Sequence, residues 1–291
     1  MPQVTREDAG PPTRAQARRE GRFSGVGGLS LFWQSWYPAA PARAVVINIH
    51  GLGDHSGLYP TVVEHFTARG LAVYSPDVRG NGRSAGQRAY VERWADFRED
   101  LARFVTLVGD AAPGQPIFML GNSLGGLIAL DYVLHHPHAV RGVIACSPPL
   151  GRLGVPAPML ALGRILSRVW PRFSLRTGMD LSGLARDPAV VQTVLADPLF
   201  HRVGTARLST EVVGAIARVH AGAPRFPVPL LVLHGSDDRM VSPDGSRAFV
   251  ARVGHPDREL REYAGGYHVL FADLDRERVL TDVEQWIAAR L

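Results

Sequence analysis

A serine between glycines separates a strand-like run from a helix-like run near the middle of the chain. Residues 116–120 are apolar, residues 121–125 read Gly-Asn-Ser-Leu-Gly, and the largely apolar residues 126–134 have the length of a helix. A serine in such a turn is pushed out above the edge of a sheet, and the flanking glycines relieve the crowding. A second Gly-x-Ser-x-Gly match, at residues 82–86, follows no apolar strand. The context therefore selects Ser123 as the candidate nucleophile.

Strand-like and helix-like segments alternate along most of the chain. Besides the runs around the serine, the predicted strands are residues 29–36, 44–49, 71–74, 140–146, 229–233 and 259–263, and the predicted helices are residues 56–70, 91–108 and 279–291. Such alternation is typical of a mostly parallel central sheet that helices cover on both faces. We therefore predict an α/β fold.

The alternation stops between residues 149 and 225, where helical spacing and several prolines leave no convincing strand. An insertion of this length predicts a helical cap, or lid, over the carboxyl edge of the sheet, where such folds bind ligands. Residues 21–148 and 226–291 then form the core. Residues 1–20 are polar and are predicted to be a flexible lead-in or the approach to an outer strand.

The composition is that of an ordinary globular protein, with 46% hydrophobic and 20% charged residues in a chain of 291. The single cysteine, Cys146, excludes an internal disulfide. The chain shows neither the apolar stretch of a signal peptide nor that of a membrane-spanning helix. We therefore expect a cytoplasmic protein, either a monomer or a homodimer.

The charge pattern argues against several classes of partner. The net charge is +5, and all 32 basic residues are arginines scattered among acidic residues. Without a basic stripe and interleaved aromatic residues, nucleic-acid binding is not expected. His135, His136 and His138 flank a proline at a predicted helix end, where cations suit the helix dipole. No metal site and no cofactor are predicted.

The partners of a nucleophilic serine follow it in the sequence. A serine hydroxyl needs a base, usually a histidine that a buried carboxylate orients, and in folds with this serine turn the acid precedes the histidine. Asp238 follows the predicted strand 229–233, and His268 follows the predicted strand 259–263. We predict Ser123 as nucleophile, Asp238 as orienting carboxylate and His268 as general base and acid.

Other residues compete for these roles. Asp237 is a weaker candidate than Asp238, and Asp77, which also ends a predicted strand, ranks lower still. His50 and His234 precede glycine at strand ends and are predicted to be structural.

An acyl-transfer site also needs backbone N–H donors for the developing oxyanion. Leu124 supplies one because it follows the nucleophile, and Leu52 in the glycine-rich loop of residues 50–54 is predicted to supply the other.

These motifs, in this order, resemble the serine α/β-hydrolases. The segment 50–59, His-Gly-Leu-Gly-Asp-His-Ser-Gly-Leu-Tyr, and the pattern Asp-x-Arg-Gly-x-Gly-x-Ser-x-Gly at 77–86 are similar to the monoacylglycerol lipase and lysophospholipase group. Further similar segments are residues 186–188, 197–199, 234–239 and 267–268. The resemblance covers about residues 28 to 290, cap included, and implies an α/β-hydrolase fold.

The chain departs from this group at several positions. Asn122 and Leu124 stand where the group usually has histidine and methionine, changes that keep the N–H donor of residue 124. Leu58 replaces a frequent arginine, and Phe271 stands where some relatives have histidine. The resemblance places these two positions, and the acidic Asp54, near the alcohol side of the substrate.

The cap segment of residues 159–170 is apolar over more than half its circumference. It is either an ordinary helix packed on the core or a lid whose apolar face contacts membranes and admits lipid, and its place in the insertion favours the lid. We expect substrate contacts from Asp54, Met159, Leu162, Leu166 and Val269.

The resemblance implies hydrolysis of carboxylic esters with medium or long acyl chains through an acyl-enzyme, with monoacylglycerol as the leading substrate. A lysophospholipase or broad carboxylesterase is the next expectation. A hydrolase of carbon–carbon bonds in ring-cleavage products is a third, because Gly-Asn-Ser at 121–123 also occurs in that group. A non-catalytic ligand receptor on the same fold is the alternative from a different class. A peripheral position at the membrane would accompany a lipid substrate.

Overall fold

The computed structural model describes residues 18–151, 157–178 and 180–291. Its strands are β1 (Arg18–Ser24), β2 (Ser30–Trp36), β3 (Ala44–Ile49), β4 (Leu71–Pro76), β5 (Ile117–Asn122), β6 (Gly142–Cys146), β7 (Ser174–Arg176), β8 (Val203–Thr205), β9 (Leu230–Gly235) and β10 (Arg258–Tyr263). Its helices are α1 (Pro60–Ala68), α2 (Trp94–Ala111), α3 (Leu124–His135), α4 (Ala157–Val169), α5 (Pro188–Ala196), α6 (Ala206–Gly222), α7 (Asp244–Val250) and α8 (Arg276–Ala288).

Eight strands form the central sheet, in the order β1-β2-β4-β3-β5-β6-β9-β10. Every neighbouring pair from β4 to β10 is parallel, whereas β1 and β2 are antiparallel at one edge. The predicted mostly parallel sheet is therefore confirmed. Because the carboxyl ends of parallel strands share an edge, the loops after β3, β5, β9 and β10 meet there.

Helices cover both faces of the sheet, as the continuous apolar runs of its inner strands require. Side chains alternate along a strand, so Val45 and Ile47 of β3 pack in the core beneath α2, α3 and α6. Ala44 and Val46 of the same strand pack on the opposite face, beneath α1 and α8. The sheet thus lies between two apolar layers.

The segment predicted as the cap lies between β6 and β9 and holds α4, β7, α5, β8 and α6. Two of these elements, β7 and β8, form a short antiparallel pair that the sequence pattern does not predict. Three residues are too few to display an alternation. Helix α6 contacts α3 of the core on one side and α4 on the other.

Other boundaries also differ from the sequence prediction. Strand β1 is not predicted, because its side chains are mostly exposed and polar, and it includes residues 18–20 of the predicted lead-in. Residues 1–17 lie outside the described ranges. The helix predicted from residue 56 begins at Pro60, after a single turn at Ser56–Leu58, and α7 is not predicted. Among the described residues, no helix combines the length and the apolar character of a transmembrane span.

Candidate active site

The candidate nucleophile occupies a sharp turn between β5 and α3. Ser123 has φ 53° and ψ −119°, a conformation that costs a non-glycine residue energy. Its N–H donates to the Cys146 carbonyl oxygen at 2.8 Å, which ties the turn to β6. A β-carbon at Gly125 would collide with the backbone of β3, so glycine is required there. The side chain of Ser123 is partly exposed, whereas both chain neighbours are buried.

Asp238 and His268 are brought together by the ends of β9 and β10. The His268 Nδ1 atom lies 2.7 Å from Asp238 Oδ2, and both residues are buried. The other oxygen, Oδ1, accepts the N–H groups of Met240 and Val241, each at 2.9 Å. Burial opposes ionisation of Asp238, but hydrogen bonds from His234 and His268 outweigh it, so the pKa of this carboxyl is well below its usual range. An ionised carboxylate here holds the imidazole with its proton on Nδ1.

The competing residues lie in other settings. Asp237 is exposed and accepts the Ser236 hydroxyl. The carboxylate of Asp77 accepts the N–H groups of Ser56 and Arg83, so it shapes its own loop. His234 is buried, is bonded to the Ser246 hydroxyl and the Val241 carbonyl, and also lies with Nε2 3.2 Å from Asp238 Oδ2. His50 Nδ1 lies 2.7 Å from the Gly51 carbonyl oxygen, and Nε2 accepts the Val78 N–H.

The backbone of His268 is anchored beside the serine turn. Ser147, the residue after Cys146, donates its hydroxyl to the His268 carbonyl oxygen at 2.8 Å. Ser123 and His268 are therefore both held at the end of β6. In the part of the chain that the structure describes, no hydrogen bond joins the Ser123 hydroxyl to the imidazole. Such bonds are commonly long in a free enzyme and tighten when substrate binds.

The two predicted oxyanion donors are the N–H groups of Leu52 and Leu124. Leu124 is the first residue of α3, so its N–H has no intrahelical partner. Within the described ranges, neither group donates to another part of the chain. Both are available to an oxygen at the carboxyl edge of the sheet.

Asp54 lies next to Ser123. A β-carbon at Gly51 would lie 3.2 Å from Asp54 Oδ2 and 3.4 Å from the Ser123 β-carbon, so the carboxylate and the serine flank the same glycine. The Tyr59 hydroxyl donates to Asp54 Oδ2 at 3.0 Å. Burial raises the pKa of Asp54 despite the nearby histidines His50 and His268, so its proton is held more tightly than in an exposed carboxyl.

Met159, Leu162 and Leu166 meet at one apolar cavity of about 360 Å³ between α4, β7 and the start of α6. The structure thus brings together the three cap residues predicted to contact substrate. None of Ser123, Asp238 and His268 lines this cavity. Val269 lies apart from this cavity. It is partly buried in the loop that follows β10 and carries His268, which we call the histidine loop, and its N–H donates to the Leu184 carbonyl oxygen.

The sequence did not predict that the cap holds the histidine loop. The His268 N–H donates to the Gly183 carbonyl oxygen, one residue before the Leu184 contact. Arg186 Nε lies 2.9 Å from the buried Asp273 carboxylate, which also accepts the Tyr267 N–H at 3.0 Å. No local sequence pattern indicates the contacts that Gly183 and Arg186 make, because their partners are more than 80 positions away.

Comparisons with known proteins show which family this chain belongs to. Residues 40–275 match the family described as serine aminopeptidase, S33. The chain is 35% identical to the monoacylglycerol lipase of Mycolicibacterium smegmatis, over 95% of this chain and 99% of that protein. The crystal structure of Paleococcus ferrophilus monoacylglycerol lipase superimposes with a TM-score of 0.82 at 29% identity, covering 96% of this chain and all of that one.

A second solved structure is a soluble variant of the Saccharomyces cerevisiae monoglyceride lipase in complex with a substrate analog. It superimposes with a TM-score of 0.85 at 25% identity and covers 96% of this chain and 97% of that one. The predicted α/β-hydrolase fold is therefore confirmed.

Proposed function

This chain belongs to the serine aminopeptidase S33 family of α/β-hydrolases and, within it, to the monoacylglycerol lipase-like group of serine hydrolases, and we propose that it hydrolyses monoacylglycerols. The observation that carries the proposal is the buried Asp238–His268 pair at the strand edge that also presents Ser123. The names of the relatives favour an acylglycerol over other esters.

The reaction follows from the role of each group. The Ser123 hydroxyl attacks the ester carbonyl, and His268 takes its proton through Nε2 while Asp238 holds the ring at Nδ1. The N–H groups of Leu52 and Leu124 stabilise the negative oxygen of the tetrahedral intermediate. His268 then protonates the leaving alcohol, which leaves an acyl-serine. Water activated by His268 attacks the acyl carbonyl and releases the fatty acid. No step needs a cofactor.

The substrate has two contrasting ends, and the site offers a surface for each. The apolar cavity lined by Met159, Leu162 and Leu166 suits an acyl chain. Asp54, beside the nucleophile, suits the hydroxyl groups of glycerol. Phe271, which the resemblance places near the alcohol side, is buried in the core layer beneath α1 and α8, and Leu58 packs against that layer. Lysophospholipids and simple esters are the next substrates to compare.

We place the outer face of α4 at the lipid–water interface. Four of its side chains, Met159, Leu162, Ile165 and Val169, are 63%, 55%, 59% and 79% exposed. Arg164 and Arg168 lie among them on the same helix. Apolar side chains with neighbouring cations favour binding to a membrane surface.

The test is the loss of turnover on replacing the nucleophile. Ser123→Ala should lower kcat on monooleoylglycerol and on p-nitrophenyl butyrate by roughly 10⁴-fold or more, and should abolish labelling by a fluorophosphonate. Ser84→Ala, in the other Gly-x-Ser-x-Gly segment, is the matched control and should still be labelled. Wild-type turnover in the Ser123 variant would refute the mechanism. An unlabelled, inactive wild-type protein would favour a receptor, and turnover of a vinylogous diketone but not of esters would favour a carbon–carbon bond hydrolase.

A further inference from the structure

A short part of the cap, residues 197–201, lies directly on the oxyanion loop of residues 50–54. We refer to it as the brace segment. The His201 N–H donates to the Gly53 carbonyl oxygen at 3.1 Å. The His201 Nε2 atom lies 2.9 Å from Asn81 Oδ1, and this same oxygen accepts the Gly53 N–H at 3.1 Å. Both polar groups of Gly53 are thus bound, its carbonyl by the cap and its N–H by Asn81.

The protonation of His201 suits this contact. Its Nδ1 accepts the Val203 N–H at 3.3 Å, so the ring proton is on Nε2 and is donated to Asn81. Burial, with Arg88 nearby, lowers the pKa of His201 to about 4. The ring is therefore neutral at neutral pH, with one donor and one acceptor, and both are used.

The start of the brace segment makes a further contact with the core. Asp197 Oδ2 lies 3.1 Å from His55 Nε2, although not at the angle of a hydrogen bond. Asp197 Oδ1 accepts the Leu199 N–H at 2.8 Å, which forms the turn that leads to His201. Two points of the segment, Asp197 and His201, therefore contact the residues on either side of Asp54.

Gly53 lies so close to the cap that a larger residue would not fit there. Gly53 has φ +82°, and a β-carbon there would collide with the His201 carbonyl oxygen. The peptide that joins Leu52 to Gly53 is fixed through its N–H, and the next peptide is fixed through its carbonyl oxygen. With both held, little freedom remains for the Leu52 backbone and for the direction of its N–H.

We infer that His201 is a positioning residue of the oxyanion hole: the cap, through the brace segment, holds the Leu52 N–H in its productive direction. The inference rests on the proposed function, in which Leu52 donates to the oxyanion. Oxyanion donors are effective because their direction is set before the reaction begins. A site in which the cap sets one donor is complete only when the cap is seated on the core.

The experiment compares His201→Leu with His201→Gln on p-nitrophenyl butyrate, whose short acyl chain makes little use of the cap cavity. The leucine removes the donor to Asn81, so kcat should fall by roughly 10-fold or more while KM stays close to the wild-type value. The glutamine amide can take the place of Nε2 and should restore most of kcat. Gln87→Ala is the matched control, because it removes another hydrogen bond between core and cap, to the Arg172 carbonyl oxygen at 2.7 Å, away from both catalytic loops.

A purely structural contact would behave differently from a positioning one. The acid limb of the pH profile of kcat/KM should be the same in His201→Leu and the wild type, because the His268–Asp238 pair is untouched. Should His201→Leu fail to fold, Asn81→Ala removes the shared acceptor from the core side and should lower kcat in the same way.

Three outcomes would overturn the inference: a wild-type kcat in folded His201→Leu, an equal loss of kcat in Gln87→Ala, or a shifted acid limb. Failure of the proposed function is distinguished from these, because it would appear as an inactive wild-type protein before any variant is compared.

Discussion

Two parts of one insertion meet the rest of the molecule in opposite ways. Helix α4 packs mainly on α6 and leaves a row of apolar side chains exposed. The brace segment and the nearby residues 183–186 instead bind the two loops that carry Leu52 and His268. The same insertion therefore has an exposed apolar surface in one part and hydrogen bonds to two core loops in the other. Substitutions in the two parts should affect different measurements.

The largest expected effect comes from separating the brace segment from the oxyanion loop. Gly53→Ala introduces a β-carbon that collides with the His201 carbonyl oxygen, so loop and cap must move apart. We expect kcat on p-nitrophenyl butyrate to fall by roughly 10²-fold. Gly27→Ala is the control, because Gly27 also has positive φ, +72°, but has nothing within 4 Å of the added carbon. It should lose about 1 kcal/mol of stability and keep kcat. Equal kcat values in Gly53→Ala and Gly27→Ala would contradict the idea that contact between the brace segment and the oxyanion loop supports turnover.

A smaller and more selective effect is expected from the outer face of α4. The double variant Ile165→Ser, Val169→Ser removes exposed apolar groups that do not line the cavity. Binding to anionic phospholipid vesicles, and turnover of long-chain monoacylglycerol within them, should fall by roughly 10-fold. Turnover of p-nitrophenyl butyrate in buffer should not change. Leu195→Ser, an exposed leucine on α5, should leave vesicle binding at the wild-type level. If the double variant binds vesicles as well as the wild type does, α4 is not the membrane-contacting face.

The smallest expected effect concerns acid sensitivity. The pKa of His201 is about 4 in the folded protein, below its ordinary value of 6.5, because of burial and then Arg88, with His50 also nearby. Folding thus favours the neutral ring, and the stabilisation present above pH 6.5 is lost as the pH falls towards 4. Between pH 7 and pH 5, urea unfolding should show a larger loss of stability for the wild type than for His201→Gln. An identical loss in both proteins would mean that His201 does not titrate as its burial implies.

The sequence predicts the sheet and the pairing of Asp238 with His268 better than it predicts the contacts of the cap. Runs such as Ala44–Ile49 are buried on both faces, so their apolar character alone marks them as strands. Strand β1 has mostly exposed polar side chains, and β7 is three residues long, so neither leaves a pattern to recognise. The serine turn is local, and its glycines and flanking runs define it within a few residues.

Contacts between segments that are far apart in the sequence leave no such local pattern. The bond between His201 and Gly53 joins segments about 150 positions apart through backbone groups, which every residue has. Asp238 and Asp237 are adjacent and chemically alike, and it is the burial of Asp238 and its approach to His268 that distinguish them. Tertiary structure, not residue type, decides these cases.

The strands that flank the insertion, β6 and β9, are neighbours in the sheet, with Cys146 opposite Leu233. The sheet is therefore continuous beneath the insertion. A longer insertion between these two strands would cost little additional chain entropy. Caps of this kind are modular: one could be grafted from a homologue to change the preferred acyl chain without disturbing the sheet. A chimaera that lacks a counterpart of His201 would still fold and bind lipid, yet would turn it over slowly.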